Sequence, residues 1–209
     1  MDLAARMTRA RIVPVLSMRR LEDAVPLARA LHAGGLDMVE VTLRTPAGLG
    51  AIQAISKALP GVLVGAGTVT RPEEIAAVRA AGAGFAVSPG FTADLAQAAV
   101  AQPGLPYLPG IATASELMAA RAAGFTCLKF FPAEAAGGTV TLKAFAGPFP
   151  EVRFCPTGGI SAGNVRGYLS LANVVAVGGS WVAPEDAVEA ADWGRITDLA
   201  RAALSCSTR

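Results

Sequence analysis

Residues 12–20 read Ile12-Val13-Pro14-Val15-Leu16-Ser17-Met18-Arg19-Arg20. The first five are apolar and rich in β-branched side chains, as expected of a short strand buried on both faces. The four residues after them decide between two α/β architectures. An open doubly wound sheet usually sends its first strand into a glycine-rich, phosphate-cradling loop. Here the strand runs into Ser17-Met18-Arg19-Arg20, with no glycine. The stretch therefore favours a (β/α)8 barrel, provided the rest of the chain keeps the alternation.

It does. Comparable runs lie at 38–43, 62–65, 85–87, 107–108, 127–131, 152–155 and 174–177, which with 12–16 makes eight strand candidates. Helical stretches fall between them at 21–33, 47–59, 72–81, 93–101, 114–123 and 139–145, with a shorter one near 164–169 and a last one at about 193–204. Pro72 reads as the first helical residue, and Thr92 and Ser115 as caps. Ala33-Gly34, Ala81-Gly82 and Ala123-Gly124 each end a helix with a glycine, which supplies a left-handed cap. These pairs recur every 42–48 residues, about two βα units. The 209 residues suit one α/β domain, a single (β/α)8 TIM barrel over 1–209 at the compact end of that fold, with a short helix of unassigned role before Arg11.

Composition narrows the function. Hydrophobic residues make up 53% and charged residues 16%, enough for a core and unlike a disordered chain. A net charge of +2 without a basic run argues against nucleic acid. No apolar stretch reaches the roughly 18 residues of a membrane span, and the N-terminus lacks the apolar core of a signal peptide. Cys127, Cys155 and Cys206 fit neither a disulfide framework nor a zinc site, so a reducing cytoplasm is the expected home. The single histidine, His32, falls in a helix, where a surface or packing role is the default. That leaves no histidine cluster for zinc and no Ser–His or Cys–His nucleophile pair.

In a barrel the C-terminal strand ends build the active site. Val39-Glu40-Val41-Thr42-Leu43-Arg44 alternates with period two, so Glu40, Thr42 and Arg44 share one face. An internal salt-bridge network is one explanation; a proton-transfer acid beside an anion clamp is the other. Strand six holds the sharpest signal, Cys127-Leu128-Lys129-Phe130-Phe131-Pro132. A lysine in such a run either snorkels or pairs with an acid, or it is an amine nucleophile. Of the three lysines, Lys57 and Lys143 fall in helical stretches and only Lys129 in a strand. Strands seven and eight end in Thr157-Gly158-Gly159 and Gly178-Gly179-Ser180. Single glycine pairs are commonly turns, but two pairs at adjacent strand ends match the usual phosphate position of barrel enzymes.

These residues belong to longer segments: Pro14-Val15-Leu16, Val39-Glu40-Val41-Thr42-Leu43-Arg44-Thr45, Val64-Gly65-Ala66-Gly67-Thr68-Val69, Ser88-Pro89-Gly90, Lys129-Phe130-Phe131-Pro132-Ala133-Glu134, Phe154-Cys155-Pro156-Thr157-Gly158-Gly159-Ile160 and Gly178-Gly179-Ser180-Trp181. In this order, across nearly the whole chain, they resemble the bacterial 2-keto-3-deoxy-6-phosphogluconate (KDPG) aldolases, some of which also act on 4-hydroxy-2-oxoglutarate. The resemblance implies a class I aldolase of the Entner–Doudoroff pathway, cytoplasmic and homotrimeric, without metal or organic cofactor. It makes Lys129 the Schiff-base lysine, Glu40 the general acid/base, and Arg44 the ligand of the keto-acid carboxylate with Thr68 beside it. Pro89 and Thr157 shape the substrate pocket, and Gly158, Gly159, Gly179 and Ser180 form the phosphate site. Two positions depart from the pattern: Ala112 stands where relatives often have serine, and Ala136 where they often have asparagine.

Three rival readings remain open. One is an aldolase specialised for the galactonate epimer, whose members carry valine at the position of Thr157, so the threonine favours the gluconate, or for unphosphorylated hydroxy-oxoglutarate, against which the phosphate loops argue. Another is a non-catalytic sugar-phosphate-binding barrel, which would not require a buried lysine opposite Glu40. The third is a metal-dependent isomerase or decarboxylase.

Overall fold

The computed structural model of the protein describes residues 3–207. Helix α1 (Leu3–Ala10) precedes β1 (Ile12–Leu16), and a 3-10 turn at Leu21–Asp23 leads into α2 (Ala24–Ala33). Next come β2 (Met38–Thr42), α3 (Gly48–Ala58), β3 (Leu63–Gly67), α4 (Pro72–Ala80), β4 (Ala86–Val87), α5 (Ala93–Val100), β5 (Tyr107–Leu108), β6 (Gly110–Ile111) and α6 (Ala114–Ala122). The chain continues with β7 (Cys127–Phe130), α7 (Gly138–Ala146), β8 (Arg153–Pro156), α8 (Val165–Leu169), β9 (Val177–Gly179), α9 (Glu185–Glu189) and α10 (Trp193–Ser207). Among the described residues no helix is long and apolar enough to cross a membrane.

Every strand pairing is parallel. One sheet runs β5-β4-β3-β2-β1-β9 and a second β6-β7-β8. The two meet at Pro109, which separates β5 from β6. Proline has no N–H to give a ladder, so Tyr107 and Leu108 pair with β4 while Gly110 and Ile111 pair with β7. On the other side, isolated parallel bridges join Phe154 to Val174 and Thr157 to Gly178. The result is an α/β fold with a curled parallel sheet.

Strand alternation sorts the core into two parts. Val39, Val41, Val64, Ala66, Leu128, Phe130 and Phe154 point outward and pack against the helices. Val13, Met38, Phe85, Val87, Leu108, Cys155 and Ala176 fill the inner side together with Leu3, Met7 and Ala10 of α1. The helix before Arg11 therefore has a role: its apolar face packs into the sheet's concave side at the N-terminal ends of the strands.

Several expected boundaries shift. The strand expected at 174–177 begins only at Val177 and includes both Gly178 and Gly179, because Ile12, Val13 and Pro14 of β1 take Val177, Gly178 and Gly179 as register partners. Its forerunner Val174 makes only a bridge to Phe154. The helix expected at 21–33 starts as a 3-10 turn, and α9 is an element the sequence reading lacked. Thr92 does cap α5, accepting from the Leu95 N–H. Ser115, in contrast, lies inside the first turn of α6; Thr113 is the cap, in a capping box with Glu116. Gly82 and Gly124 are left-handed as expected, but after α2 the left-handed residue is Gly35, not Gly34. Gly34 instead answers to close packing: a Cβ there would stand 2.4 Å from the Cβ of Ala200 on α10.

Candidate active site

β2 and β7 bring the two buried charges together. β2 is buried along its whole length, and its alternation points Glu40 to the concave side. Glu40 pairs in register with Val15 of β1 and Gly65 of β3. Lys129 sits between Gly110 and Cys155 in register. Lys129 Nζ donates to Glu40 Oε1 at 3.1 Å, across 89 residues of sequence. The two side chains are 7% and 4% exposed. Apolar residues of similar size would often serve stability at least as well in such a place. The pair is thus an isolated polar feature of the inner face, which elsewhere toward the N-terminal strand ends is apolar.

Space for Glu40 comes from Gly67 at the end of β3, where a Cβ would fall 2.1 Å from Oε1. The next residue, Thr68, has φ 59°. For a β-branched side chain this left-handed conformation is strained, and such strain concentrates at functional sites. Cys155 lies beneath the ion pair. Burial, reinforced by the Glu40 charge, pushes its thiol up to about 12, so it is a neutral packing group there.

Above the pair opens a cavity of about 350 Å³, within the range of small-molecule sites. It is lined by all ten expected site residues: Lys129, Glu40, Arg44, Thr68, Pro89, Thr157, Gly158, Gly159, Gly179 and Ser180. Thr42, the third member of the period-two face, also has a structural partner, since its hydroxyl donates to the Leu16 carbonyl at 3.1 Å. Arg44 lies two residues past the end of β2 and is exposed. Among the described residues it makes no hydrogen bond or ion pair, which leaves its guanidinium available to an anion. His32 is exposed on α2, and Lys57 and Lys143 stand in the last turns of α3 and α7, away from this cavity.

Pro89 is held on the wall by the residue before it. Ser88 is fully buried. Its hydroxyl donates to the Gly90 carbonyl at 2.6 Å and accepts from the Gly110 N–H at 3.3 Å. With its one proton so committed, it also accepts from the Tyr107 hydroxyl at 2.6 Å. Burial pushes the Tyr107 phenol up, against the pull of Ser88, and so keeps it a donor. On the opposite wall Gly158 and Gly159 have φ 99° and 80°, conformations that glycine alone adopts easily. The N–H groups of Gly159 and Ile160 have no partner among the described residues, and both residues line the cavity. Phe131 is a lining residue that sequence reading did not single out. Its ring centroid lies 5.4 Å from Lys129 Nζ, near enough for a cation–π contact; its place beside Lys129 was the available signal.

A larger cavity of about 450 Å³ adjoins, sharing Val15, Arg44 and Ser180. It touches neither Lys129 nor Glu40, and its Arg19 and Arg20 are already paired with Glu185, Glu189 and Asp23. Of the two, only the smaller cavity brings Lys129 and Glu40 together with Arg44 and the glycine pair after β8. Among the described residues no three His, Cys, Asp or Glu side chains gather as metal ligands.

Comparison with known proteins agrees with this geometry. The sequence model of the family described as "Aldolase: KDPG and KHG aldolase" matches residues 3–199. The 2-dehydro-3-deoxy-phosphogluconate aldolase of Pseudoalteromonas atlantica is 55% identical over 194 residues, covering 93% of this chain and 90% of the relative. The KHG/KDPG aldolase of Escherichia coli K12 is 54% identical over 193 residues, covering 92% and 90%. Among solved structures, a KDPG aldolase from Legionella pneumophila, with pyruvate captured at low pH as a covalent carbinolamine intermediate, superposes with a TM-score of 0.94. It is 47% identical, with 97% of this chain and 98% of that one covered.

Proposed function

The chain belongs to the KDPG and KHG aldolase family of carbon–carbon lyases, and from that membership we propose that it is a class I aldolase cleaving 2-keto-3-deoxy-6-phosphogluconate to pyruvate and D-glyceraldehyde 3-phosphate, in the Entner–Doudoroff pathway. The observation that carries the reading is the buried contact of Lys129 with Glu40 beneath a cavity that also presents Arg44 and the free N–H groups of Gly159 and Ile160. A nucleophile and a base within hydrogen-bond reach are what imine chemistry requires.

Transfer of the Lys129 proton to Glu40 frees the amine to attack the C2 ketone. Glu40 returns that proton to the carbinolamine hydroxyl, which leaves as water, giving a protonated imine and a carboxylate again. Glu40, through a water, takes the C4 hydroxyl proton; the C3–C4 bond breaks, its electrons enter the imine, and the aldehyde departs. The enamine left behind is protonated at C3 and hydrolysed, which returns pyruvate and free Lys129. Arg44 clamps the carboxylate, with Thr68 beside it. Gly158, Gly159, Gly179 and Ser180 hold the phosphate, while Pro89 and Thr157 shape the space between. The charge clamps at both ends set the scissile bond over the Lys129–Glu40 pair.

The same inference extends to architecture and setting. Counting β5 and β6 as one strand interrupted at Pro109, and the Thr157–Gly178 bridge as a join between β8 and β9, the pairings support one closed (β/α)8 barrel domain over 1–209. The family resemblance supports a cytoplasmic homotrimer. Thr157 favours the gluconate epimer over the galactonate. The likeness to the Escherichia coli KHG/KDPG aldolase supports 4-hydroxy-2-oxoglutarate as a second substrate.

The test is borohydride reduction in the presence of pyruvate, followed by mass mapping. A pyruvate-derived adduct on Lys129 is expected. A folded protein that gives none, with the reductant shown to be active, overturns the class I reading.

A further inference from the structure

Asn164 takes no part in the chemistry above and does not line the cavity, yet its carboxamide closes the loop that carries the phosphate groups. Resting on that reading, we propose that Asn164 is a positioning residue for phosphate recognition: it holds the Gly158-Gly159-Ile160 loop with its N–H groups turned to the anion.

The loop's carbonyl oxygens are taken one after another. Thr157 O accepts from the Ala133 N–H at 2.8 Å, and Gly158 O from the Glu134 N–H at 3.1 Å. Gly159 O accepts from Asn164 Nδ2 at 2.9 Å. The other end of the same carboxamide, Asn164 Oδ1, accepts from the Ser161 N–H at 2.8 Å. The orientation of the amide is unambiguous, because a carbonyl only accepts and a backbone N–H only donates. With three successive carbonyls held by protein donors, the N–H groups of Gly159 and Ile160 are what the loop leaves for an anion.

Two of the three clasps are made by backbone, so the side chain of Asn164 is the one that sequence can change. Its bond also holds the weakest point. Gly159 has φ 80° and no side chain to restrict it, so the peptide after it can rotate once its carbonyl is released. Rotation would present a carbonyl oxygen where an N–H stood, and an oxygen repels phosphate. Pyruvate carries no phosphate and sits at the Lys129 end, so its binding does not depend on this clasp.

The experiment compares the intact enzyme with N164A and N164D in two assays: kcat and KM for KDPG cleavage, and the pyruvate concentration that half-saturates borohydride trapping. In N164A the KM for KDPG should rise roughly tenfold, the equivalent of one net hydrogen bond, with kcat nearly unchanged. Inhibition by inorganic phosphate should weaken in parallel, and pyruvate trapping should keep its half-saturation. N164D retains the acceptor for Ser161 but loses the donor to Gly159 and adds a negative charge, so its KM should rise at least as far. Equal losses in both assays, or no loss in either, overturn the proposal, as does loss of native circular dichroism in both variants. If the unsubstituted enzyme traps no pyruvate, the class I reading itself fails and takes this one with it; trapping with an unmoved KM in N164A removes this one alone.

Discussion

Gly67 and Glu40 occupy complementary space: the carboxylate of one lies where the side chain of the other would be, with Oε1 2.1 Å from the position of a Cβ at residue 67. Gly67 has no left-handed φ, so alanine there is tolerated by the backbone and its effect falls on Glu40. G67A should lower kcat about a hundredfold, within the usual contribution of general acid–base catalysis, while the pyruvate adduct on Lys129 still forms. A wild-type kcat would show that Glu40 does not move the proton.

K129A should abolish turnover and trapping together. It should also cost stability, by about 3–5 kcal/mol, because Glu40 is left buried without its partner. Urea denaturation measures the second effect. Near-normal cleavage would end the nucleophile assignment; an unchanged midpoint would mean that water reaches Glu40.

R44A should act differently. Arg44 is exposed and makes no hydrogen bond or ion pair among the described residues, so stability should stay within about 0.5 kcal/mol. Half-saturation of pyruvate trapping should rise about 10–100-fold, as expected for loss of a charge-assisted clamp. Unchanged affinity with a lower melting temperature would make Arg44 a structural residue.

Thiol labelling should separate the cysteines by burial. Cys155 is buried and its thiol is pushed up to about 12, so it should resist iodoacetamide at pH 8 until the protein unfolds. Cys127 and Cys206 are half-buried and should react first. Early labelling of Cys155 would mean that the inner face opens in the native state.

The α6 capping box gives a pH signature. Hydrogen bonds from Ala112 and Thr113 hold the Glu116 carboxyl below its ordinary value of 4.5, against the opposing effect of burial. A lowered folded value means that the unfolded state binds the proton more tightly. The contribution is therefore complete above pH 4.5 and disappears as pH falls through the folded value. E116Q keeps the acceptor oxygen of the box and loses only the charge, so it should be less stable than the parent at pH 7 by about 0.5 kcal/mol, and the gap should narrow on acidification below 4.5. A gap independent of pH would assign the effect to packing.

Much of this site was legible because strand chemistry leaves marks in sequence. Glu40 and Lys129 stand out as charges inside apolar strand runs, and the glycine pair that follows β8 and the one that ends β9 stand at fixed places in the alternation. The parts that stayed hidden depend on distance or on context. The 3.1 Å contact of Lys129 with Glu40 spans 89 residues. The start of β9 is set by its register on β1, since Gly178 and Gly179 have no strand propensity of their own. Gly34 reads like a helix cap, yet its requirement is the approach of Ala200. The five-residue helix α9 is too short for an apolar period to show. The clasp of Asn164 on Gly159 looks in sequence like an ordinary turn asparagine.

Helix α1 seals the inner face with Leu3, Met7 and Ala10, and this turns the cavity into a blind well. A well with one mouth imposes a queue. On the proposed reaction the imine is anchored at the floor, on Lys129, and the phosphorylated half lies toward the rim. The aldehyde must clear the shaft before the pyruvate half can rise past it, and in synthesis the order reverses, with the keto acid loaded first. Ordered release, which the covalent enamine on Lys129 already imposes, is then reinforced by the plumbing of the fold, closed beneath by three apolar residues of α1.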